Sequence, residues 1–269
     1  MTGRSIGSPE LRANSKWAYR LLAVAIFPAN MTLHIPMDLA KWQKAPMPGK
    51  DFPVITEMKN AWRLQSTHSA GGYVYWLPEP LRVTDENGGN LKQVFEATWK
   101  WKVLRLPKTQ PKIPVTKNND DFAVRVGFLW SDGKNRLSAM DGVQKKLKVR
   151  HEVSEVLLYN AVADVDPTHS CGASPYDAKI LYCLLPSTPQ MQEVQVFPLG
   201  DLLKSLEPEA KREIAVRPLS LIGLWVFSDS DDSKSSAESQ LMDLTVRLTP
   251  QTTPAAQAAH RDEAPARTP

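Results

Sequence analysis

The stretch VFEATWKWKV, residues 94–103, decides the fold class of this chain. In its second half apolar and charged side chains alternate, so that two tryptophans and Val103 share one face of an extended backbone and two lysines share the other. A period of two residues is typical of a β-strand with one buried and one solvated face. The stretch therefore predicts a β-strand.

Segments of the same kind continue on both sides of this strand, from about residue 36 to residue 248, and turn residues separate them. Strands are predicted at residues 62–65, 72–77, 81–83, 122–130, 156–161, 178–185, 219–227 and 241–248. One helix is predicted at residues 201–213, where Leu202, Leu203 and Leu206 recur at helical spacing. The pattern predicts an all-β fold, a sandwich or a barrel, with one short helix.

The composition excludes several classes of protein. Of the 269 residues, 42% are hydrophobic and 23% are charged, which is ordinary for a globular chain and excludes a wholly disordered one. The 22 prolines are spread along the sequence, which excludes a helical bundle. The net charge of +4 comes from interspersed basic and acidic residues, so nucleic acid is not an expected partner. No apolar run reaches the roughly 18 residues that a membrane-spanning helix needs, so no such helix is expected.

The two ends of the chain differ from its middle. In residues 1–35, basic residues precede the apolar run LLAVAIF at residues 21–27, an order typical of a signal peptide for export. A short amphipathic helix or a strand that leads into the domain is the alternative. Residues 36–249 are expected to form one domain, and the Pro- and Ala-rich residues 250–269 a disordered tail.

The two cysteines, Cys171 and Cys183, lack a CxxC pattern and histidines at ligand spacing, so a zinc site is not expected. Cys183 lies in an apolar run, which favours a free buried thiol that behaves as a small hydrophobic side chain. One disulfide is the alternative if the chain is exported.

Asp120, Asp121 and Arg125 are the first candidates for a binding site. The alternation of residues 122–130 places Phe122 and Val124 on one face of the strand and Arg125 on the other. A charge within an apolar strand is costly unless it is paired or faces a wet cleft. The three residues therefore indicate either a polar ligand site on a concave sheet face or a structural ion pair beneath a loop.

Asp229, Asp231, Asp232 and Asp243 are the candidate metal ligands. Carboxylates at a strand end, with loop carbonyls nearby, supply the oxygen ligands that calcium prefers. The spacing is not that of an EF-hand, which has a central Gly and a Glu at its twelfth position. A structural calcium ion and a solvated acidic turn both remain open.

Aromatic side chains are numerous, and sugar rings stack on exposed aromatic faces. Most of these side chains are expected in the core, while Trp76 and Trp99 are the candidates for ligand contact. The sequence has no GxSxG, HExxH, P-loop or GxGxxG pattern, and no two of its histidines have ligand spacing. An enzyme is therefore not the favoured interpretation.

Four segments, by their residues, order and spacing, are similar to those of a known family. They are SAGGY at residues 69–73, TWKWKV at 98–103, NDDFAVRV at 119–126, and GLWVFSDSDD at 223–232 followed by Asp243. Together with residues 158–176 they resemble the DUF3047 domain proteins, a bacterial family of unknown function. The resemblance covers roughly residues 36–248. It implies a jelly-roll sandwich related in layout to carbohydrate-binding modules, often with an export signal, and it brings no established activity.

These observations favour an exported, non-catalytic β-sandwich, periplasmic or secreted rather than cytoplasmic, that binds a polar ligand such as a glycan or a cell-envelope component. A polysaccharide hydrolase or lyase on the same frame is one alternative. A scaffold protein whose tail reaches a partner is another.

Overall fold

In the computed structural model, the residues described are 30–83, 93–134, 152–165, 170–205 and 218–250. Within them, thirteen strands and one α-helix follow one another along the chain. The elements are β1 (Met31–His34), β2 (Gln43–Pro46), β3 (Val54–Met58), β4 (Ala61–Thr67), β5 (Ala70–Arg82), β6 (Gln93–Arg105), β7 (Phe122–Ser131), β8 (Glu155–Val162), β9 (Cys171–Ala173), β10 (Ile180–Pro186), β11 (Gln192–Val196), α1 (Pro198–Ser205), β12 (Ser220–Asp229) and β13 (Ser236–Pro250). A 3-10 turn spans Leu39–Lys41.

The strands form two sheets. The six-stranded sheet has the order β11-β6-β13-β4-β3, and β1 also pairs with β13. The seven-stranded sheet has the order β2-β5-β12-β7-β8-β10-β9. Neighbouring strands are antiparallel except β8 and β10, which are parallel. The fold is a jelly-roll-type β-sandwich with one short helix, as the sequence predicts.

The main core lies between the two sheets. Trp99, Trp101 and Val103 of β6 are all buried in it, so the predicted facing of that strand is confirmed. The indole of Trp99 contacts Trp101 and Tyr159, with ring centroids 5.5 and 5.7 Å apart. Aromatic rings bury large areas, and this makes them a dominant contribution to the core.

A second apolar cluster covers the other face of the seven-stranded sheet. In β12, Leu224 and Val226 pack into the main core, whereas Trp225 and Phe227 pack into the second cluster. Every residue of β7 and β8 is buried. Because both of their faces are covered, these central strands have mostly apolar side chains on both faces and do not alternate between apolar and polar residues.

Some element boundaries differ from the predicted ones. The strands predicted at residues 72–77 and 81–83 are one strand, β5, which passes through Pro78 and Pro80. The register with β12 shifts between Trp76 and Leu81, so neither proline has to donate a ladder hydrogen bond. The helix α1 begins three residues before the predicted start, and residues 206–213 of the prediction lie outside the described residues.

Two further expectations are corrected. The sheet includes β1, and Ile35 is buried in the main core, so the folded domain begins before residue 36. Cys171 and Cys183 are directly opposite each other on β9 and β10 and form a disulfide, so the prediction of a free thiol is wrong. The predicted signal peptide, apart from β1 and the residues beside it, lies outside the described residues. The predicted tail does so too, apart from Pro250, which is the last residue of β13.

Candidate functional site

Three strand ends of the seven-stranded sheet meet at the candidate site. Asp229, at the end of β12, is paired with Ala70 at the start of β5 and with Phe122 at the start of β7. Around this point, the strands and their loops border a pocket of about 410 Å³. That volume lies at the lower end of the range for small-molecule sites in proteins.

Arg125 forms part of the pocket wall and is buried. Between the pairs Arg125–Phe227 and Phe122–Asp229, β7 has one residue more than β12. This bulge turns Phe122 to the same face as Arg125, so the prediction that Phe122 faces with Val124 is wrong. The alternation of apolar and polar residues in the sequence does not reveal such a bulge. The bulge places the Phe122 ring next to Arg125.

The Arg125 guanidinium lies over two aromatic rings, 3.4 Å from the ring centroid of Phe122 and 4.4 Å from that of Tyr182. Its Nε donates a hydrogen bond to Oδ1 of Asn160 at 2.5 Å, while its Nη2 is buried without a hydrogen-bond partner. Burial lowers the pKa of Arg125, and the charges of Asp120 and Asp229 act against that shift. Cation–π contacts and nearby carboxylates thus stabilise a cation that is removed from water.

Asp120 lies in the pocket wall, at the end of the loop that leads into β7. Burial, followed by a hydrogen bond to the Asp232 carboxylate, raises the pKa of Asp120 to about 7, although the positive charge of Arg125 opposes the shift. The Tyr176 hydroxyl also donates a hydrogen bond to the Asp120 carboxyl group. The Oδ1 atom of Asp120 is buried and has no hydrogen-bond partner.

Asp121 supports the pocket from behind. It is fully buried, does not line the pocket, and accepts hydrogen bonds from the backbone N–H groups of Asp232 and Ser233 at 3.2 and 2.8 Å. The Ser233 hydroxyl is also hydrogen-bonded to it. Asp121 therefore holds the loop after β12 in place.

Asp229, Asp231 and Lys50 form a hydrogen-bonded group on the pocket wall. Burial and a hydrogen bond to Asp231 raise the pKa of Asp229 well above its ordinary value. Although burial alone would raise it, hydrogen bonds from Asp229 and Lys50 lower the pKa of Asp231. The Lys50 ammonium forms an ion pair with Asp231, and that hydrogen bond raises the pKa of Lys50.

The structure brings three of the four predicted metal ligands together. Carboxylate oxygens of Asp229 and Asp231 lie within 4.8 Å of one another and of Asp121, and those of Asp120, Asp121 and Asp232 form a second such group. Donors from the chain already occupy both Asp121 oxygens, and the Lys50 ammonium occupies Asp231. The residues present therefore fit a calcium ion poorly, since it would have to displace these donors.

The fourth predicted ligand, Asp243, is placed elsewhere. It lies at a register shift in β13 of the six-stranded sheet, and its carboxylate forms an ion pair with Lys100 at 3.0 Å. The prediction that Asp243 joins the acidic cluster is therefore corrected.

Neither predicted tryptophan lines the pocket. Trp99 is 1% exposed and lies between the sheets, so its ring has no face available to a ligand, and its prediction as a ligand contact is corrected. Trp76 is half-buried, and its Nε1 donates to Oε1 of Gln43 at 3.0 Å. The aromatic residues that line the pocket are instead Tyr176, Tyr182, Trp225 and Phe227.

Sequence reasoning missed these aromatic residues and Lys50. Trp225 alternates with Val226 along β12, but that pattern does not show which face carries the pocket. Tyr176 and Lys50 lie in loops far apart in sequence, and no local pattern connects a loop residue to a distant strand end.

The fold and the pocket define a β-sandwich with a small polar and aromatic site on the outer face of one sheet. Residues 40–245 match the family described as "Protein of unknown function (DUF3047)", and the chain belongs to this family. No curated protein matches the sequence.

Several solved structures are similar in fold. The xyloglucanase domain of NopAA from Sinorhizobium fredii, in complex with cellobiose, is 11% identical with a TM-score of 0.38, over 76% of this chain and 92% of that one. The basic winged bean lectin with Tn-antigen is 12% identical with a TM-score of 0.38, over 82% and 98%. Arcelin-5, a lectin-like defence protein from Phaseolus vulgaris, is 9% identical with a TM-score of 0.32, over 82% and 99%.

In the part of the chain that the structure describes, no helix is long and apolar enough to cross a membrane.

Proposed function

We propose that the protein binds a hydroxyl-rich ligand, a glycan or a saccharide of the cell envelope, in this pocket without changing it chemically. The observation that supports the proposal is the presence of buried polar atoms without partners in residues of the pocket wall. They are Nη2 of Arg125, Nε1 of Trp225 and Oδ1 of Asp120. Such atoms are costly in an isolated protein, and sugar hydroxyls supply both donors and acceptors.

The aromatic lining supports the same class of ligand. Tyr176 is 53% exposed, so a face of its ring is available at the pocket, and Tyr182 and Trp225 extend the apolar surface inward. The C–H faces of a sugar ring pack on such surfaces, while the hydroxyls at its edge reach the charged groups.

The disulfide and the basic, apolar N-terminal segment support a periplasmic or secreted location. Disulfides persist in oxidising compartments, and the segment has the order of a signal peptide. Because β1 begins at Met31, we expect cleavage to leave that residue in the mature chain. Mass spectrometry of the natively expressed protein tests this, and an intact N-terminal segment would contradict export.

Tyr176→Ala tests the glycan proposal. Removal of the ring is expected to weaken glycan binding at least about fivefold, because an aromatic stacking contact contributes on the order of 1 kcal/mol beyond the area that it buries. The measurement is calorimetric titration with glycans that a glycan array first identifies as ligands of the unaltered protein.

Phe197→Ala is the matched control, since Phe197 is 46% exposed and does not line the pocket. It should leave binding unchanged. Absence of any glycan ligand on the array, or an equal loss in both variants, would contradict the proposal.

A hydrolase is a second candidate, which one observation favours. Asp120 has a pKa of about 7 and Asp231 has a lowered pKa, and both line the same pocket. Two carboxyl groups whose pKa values are driven apart are typical of an acid and a base in glycoside hydrolysis. Release of reducing sugar from a polysaccharide panel, abolished in a folded Asp120→Asn variant, would establish the hydrolase in place of the non-catalytic binder.

A further inference from the structure

The described lining of the pocket has more carboxylates than cations. Asp120, Asp229, Asp231 and Asp232 line it, against Lys50 and Arg125. A fifth carboxylate, Asp121, lies directly behind the wall, within 4.8 Å of both acidic groups. The pocket therefore has two carboxyl groups more than it has cations, and these can pair with a cation from a ligand when they ionise.

Removal from water favours the protonated, neutral form of two of these carboxyl groups. Burial is the largest cause of the raised pKa of Asp120 and of Asp229, and both carboxyl groups also share a hydrogen bond with a neighbouring carboxylate. A cationic group from a ligand would let these carboxyl groups ionise with a partner, which a neutral hydroxyl does less well.

One ammonium is already bound within the cluster. The Lys50 side chain is 43% exposed, enters from the loop between β2 and β3, and pairs with Asp231. Among the described residues, no lysine ammonium pairs with Asp120 or Asp232, and Oδ1 of Asp120 is buried without a donor. The same chemistry that holds Lys50 thus suits a second ammonium beside Asp120.

The other buried atoms without hydrogen-bond partners in the pocket wall are donors, for which a ligand would have to supply acceptors. Nη2 of Arg125 and Nε1 of Trp225 are both donors that lack an acceptor. The complementary ligand has an ammonium group and hydroxyl or ring oxygens a few ångströms apart, with an apolar face for Tyr176. Aromatic rings beside the ammonium add a cation–π attraction.

We propose, on the basis of the function proposed above, that the pocket selects glycans with a free primary amine, with the ammonium beside the Asp120 and Asp232 carboxyl groups and the sugar ring against Tyr176. Glucosamine residues without an acetyl group belong to this class. N-acetylation removes the positive charge and leaves the sugar ring, which makes the acetylated sugar a matched probe.

The test is calorimetric titration of the full-length protein with three oligosaccharides of equal length: a glucosamine oligomer, its N-acetylated form and a neutral cello-oligosaccharide. The pH is chosen so that the amine is protonated, and physiological salt screens the long-range effect of net charge. The amine is expected to bind at least about tenfold more tightly than either other sugar, because hydrogen bonds between an ammonium and a carboxylate are roughly twice as strong as those between neutral groups.

Asp232→Asn is the diagnostic variant, because Asp232 is exposed and its backbone N–H, which holds the loop, remains. It should remove most of the preference for the amine over the neutral sugar. Asp243→Asn is the matched control, since that exposed carboxylate lies on the other sheet. It should keep the preference.

The outcomes separate the two proposals. Equal affinity for all three sugars, or the same loss of preference in both variants, would overturn the amine selectivity and leave glycan binding in place. Failure of every sugar to bind, on this titration and on the glycan array, would overturn both proposals.

Discussion

At Gly72, the backbones of β5 and β12 leave no room for a side chain. A Cβ atom at this position would lie 1.9 Å from the Val226 carbonyl oxygen and 2.7 Å from Cα of Phe227, and both of these are backbone atoms. Gly72→Ala is therefore expected to lower the free energy of unfolding by at least about 3 kcal/mol, because neither strand can move without breaking its ladder. Urea unfolding measures the change.

Gly200 provides the control for this prediction. It lies in α1, where a Cβ would meet only Cβ of Phe197 at 3.8 Å. Gly200→Ala should be neutral or stabilise the protein by up to about 1 kcal/mol, as expected for alanine in a helix. Similar effects of the two substitutions would show that the close approach at Gly72 is relieved in solution.

Asp120 makes stability depend on pH. Its pKa is raised from 3.8 to about 7, so between these values the folded protein binds a proton that the unfolded chain has released. Stability should therefore fall as pH rises from about 4 to about 7, by a few kcal/mol from this residue. The raised pKa of Asp229 also makes stability fall as the pH rises. The lowered pKa of Asp231 has the opposite effect, because it makes stability fall as the pH drops below about 4.

The measurement is the urea midpoint at several pH values for the unaltered protein and for Asp120→Asn. The slope should decrease in the variant and keep a remainder from Asp229. An unchanged slope would show that Asp120 titrates alike in the folded and unfolded states.

At the level of elements, the disulfide fixes the loop that holds Tyr176. Cys171 on β9 and Cys183 on β10 enclose that loop, with a sequence separation of 12 residues. Replacement of both cysteines by serine should cost about 2–3 kcal/mol of stability, as expected for a closed loop of this length. Binding at the pocket should also weaken, because the Tyr176 ring loses its fixed position.

A reductant provides the matched comparison for this prediction. It should destabilise the unaltered protein by a similar amount and leave the double serine variant unchanged. If the reductant has no effect on the unaltered protein, the loop is held by its other contacts.

The central strands could be predicted from the sequence, and the edge strands could not. The buried strand β12 reads as a continuous apolar run, and β6 alternates, because packing on one or both faces determines which side chains are tolerated. The short strands β1, β2 and β3 have mixed burial and no clear period. Their pairing depends on long strands elsewhere in the chain, as with β1 and the far end of β13.

In the whole molecule, the acidic residues of the site could be predicted from the sequence, but the lysine and the aromatic residues that line the pocket with them could not. The DD and SDSDD stretches lie at the ends of β7 and β12, and antiparallel pairing necessarily brings those ends together. Lys50 and Asp231 meet across 181 residues of sequence, and Tyr176 arrives from a loop between two other strands. Such contacts follow from the packing of the sheets and loops as a whole, for which one sequence has no local signal.

Only one of the two sheets contributes strand residues to the described lining of the pocket. All the described residues that line the pocket belong to the seven-stranded sheet or to loops, and none belongs to a strand of the six-stranded sheet. The outer face of the six-stranded sheet is thus a natural place for a fluorescent label or for immobilisation on a sensor surface. A protein attached through that face would present its pocket outward to glycans in free solution.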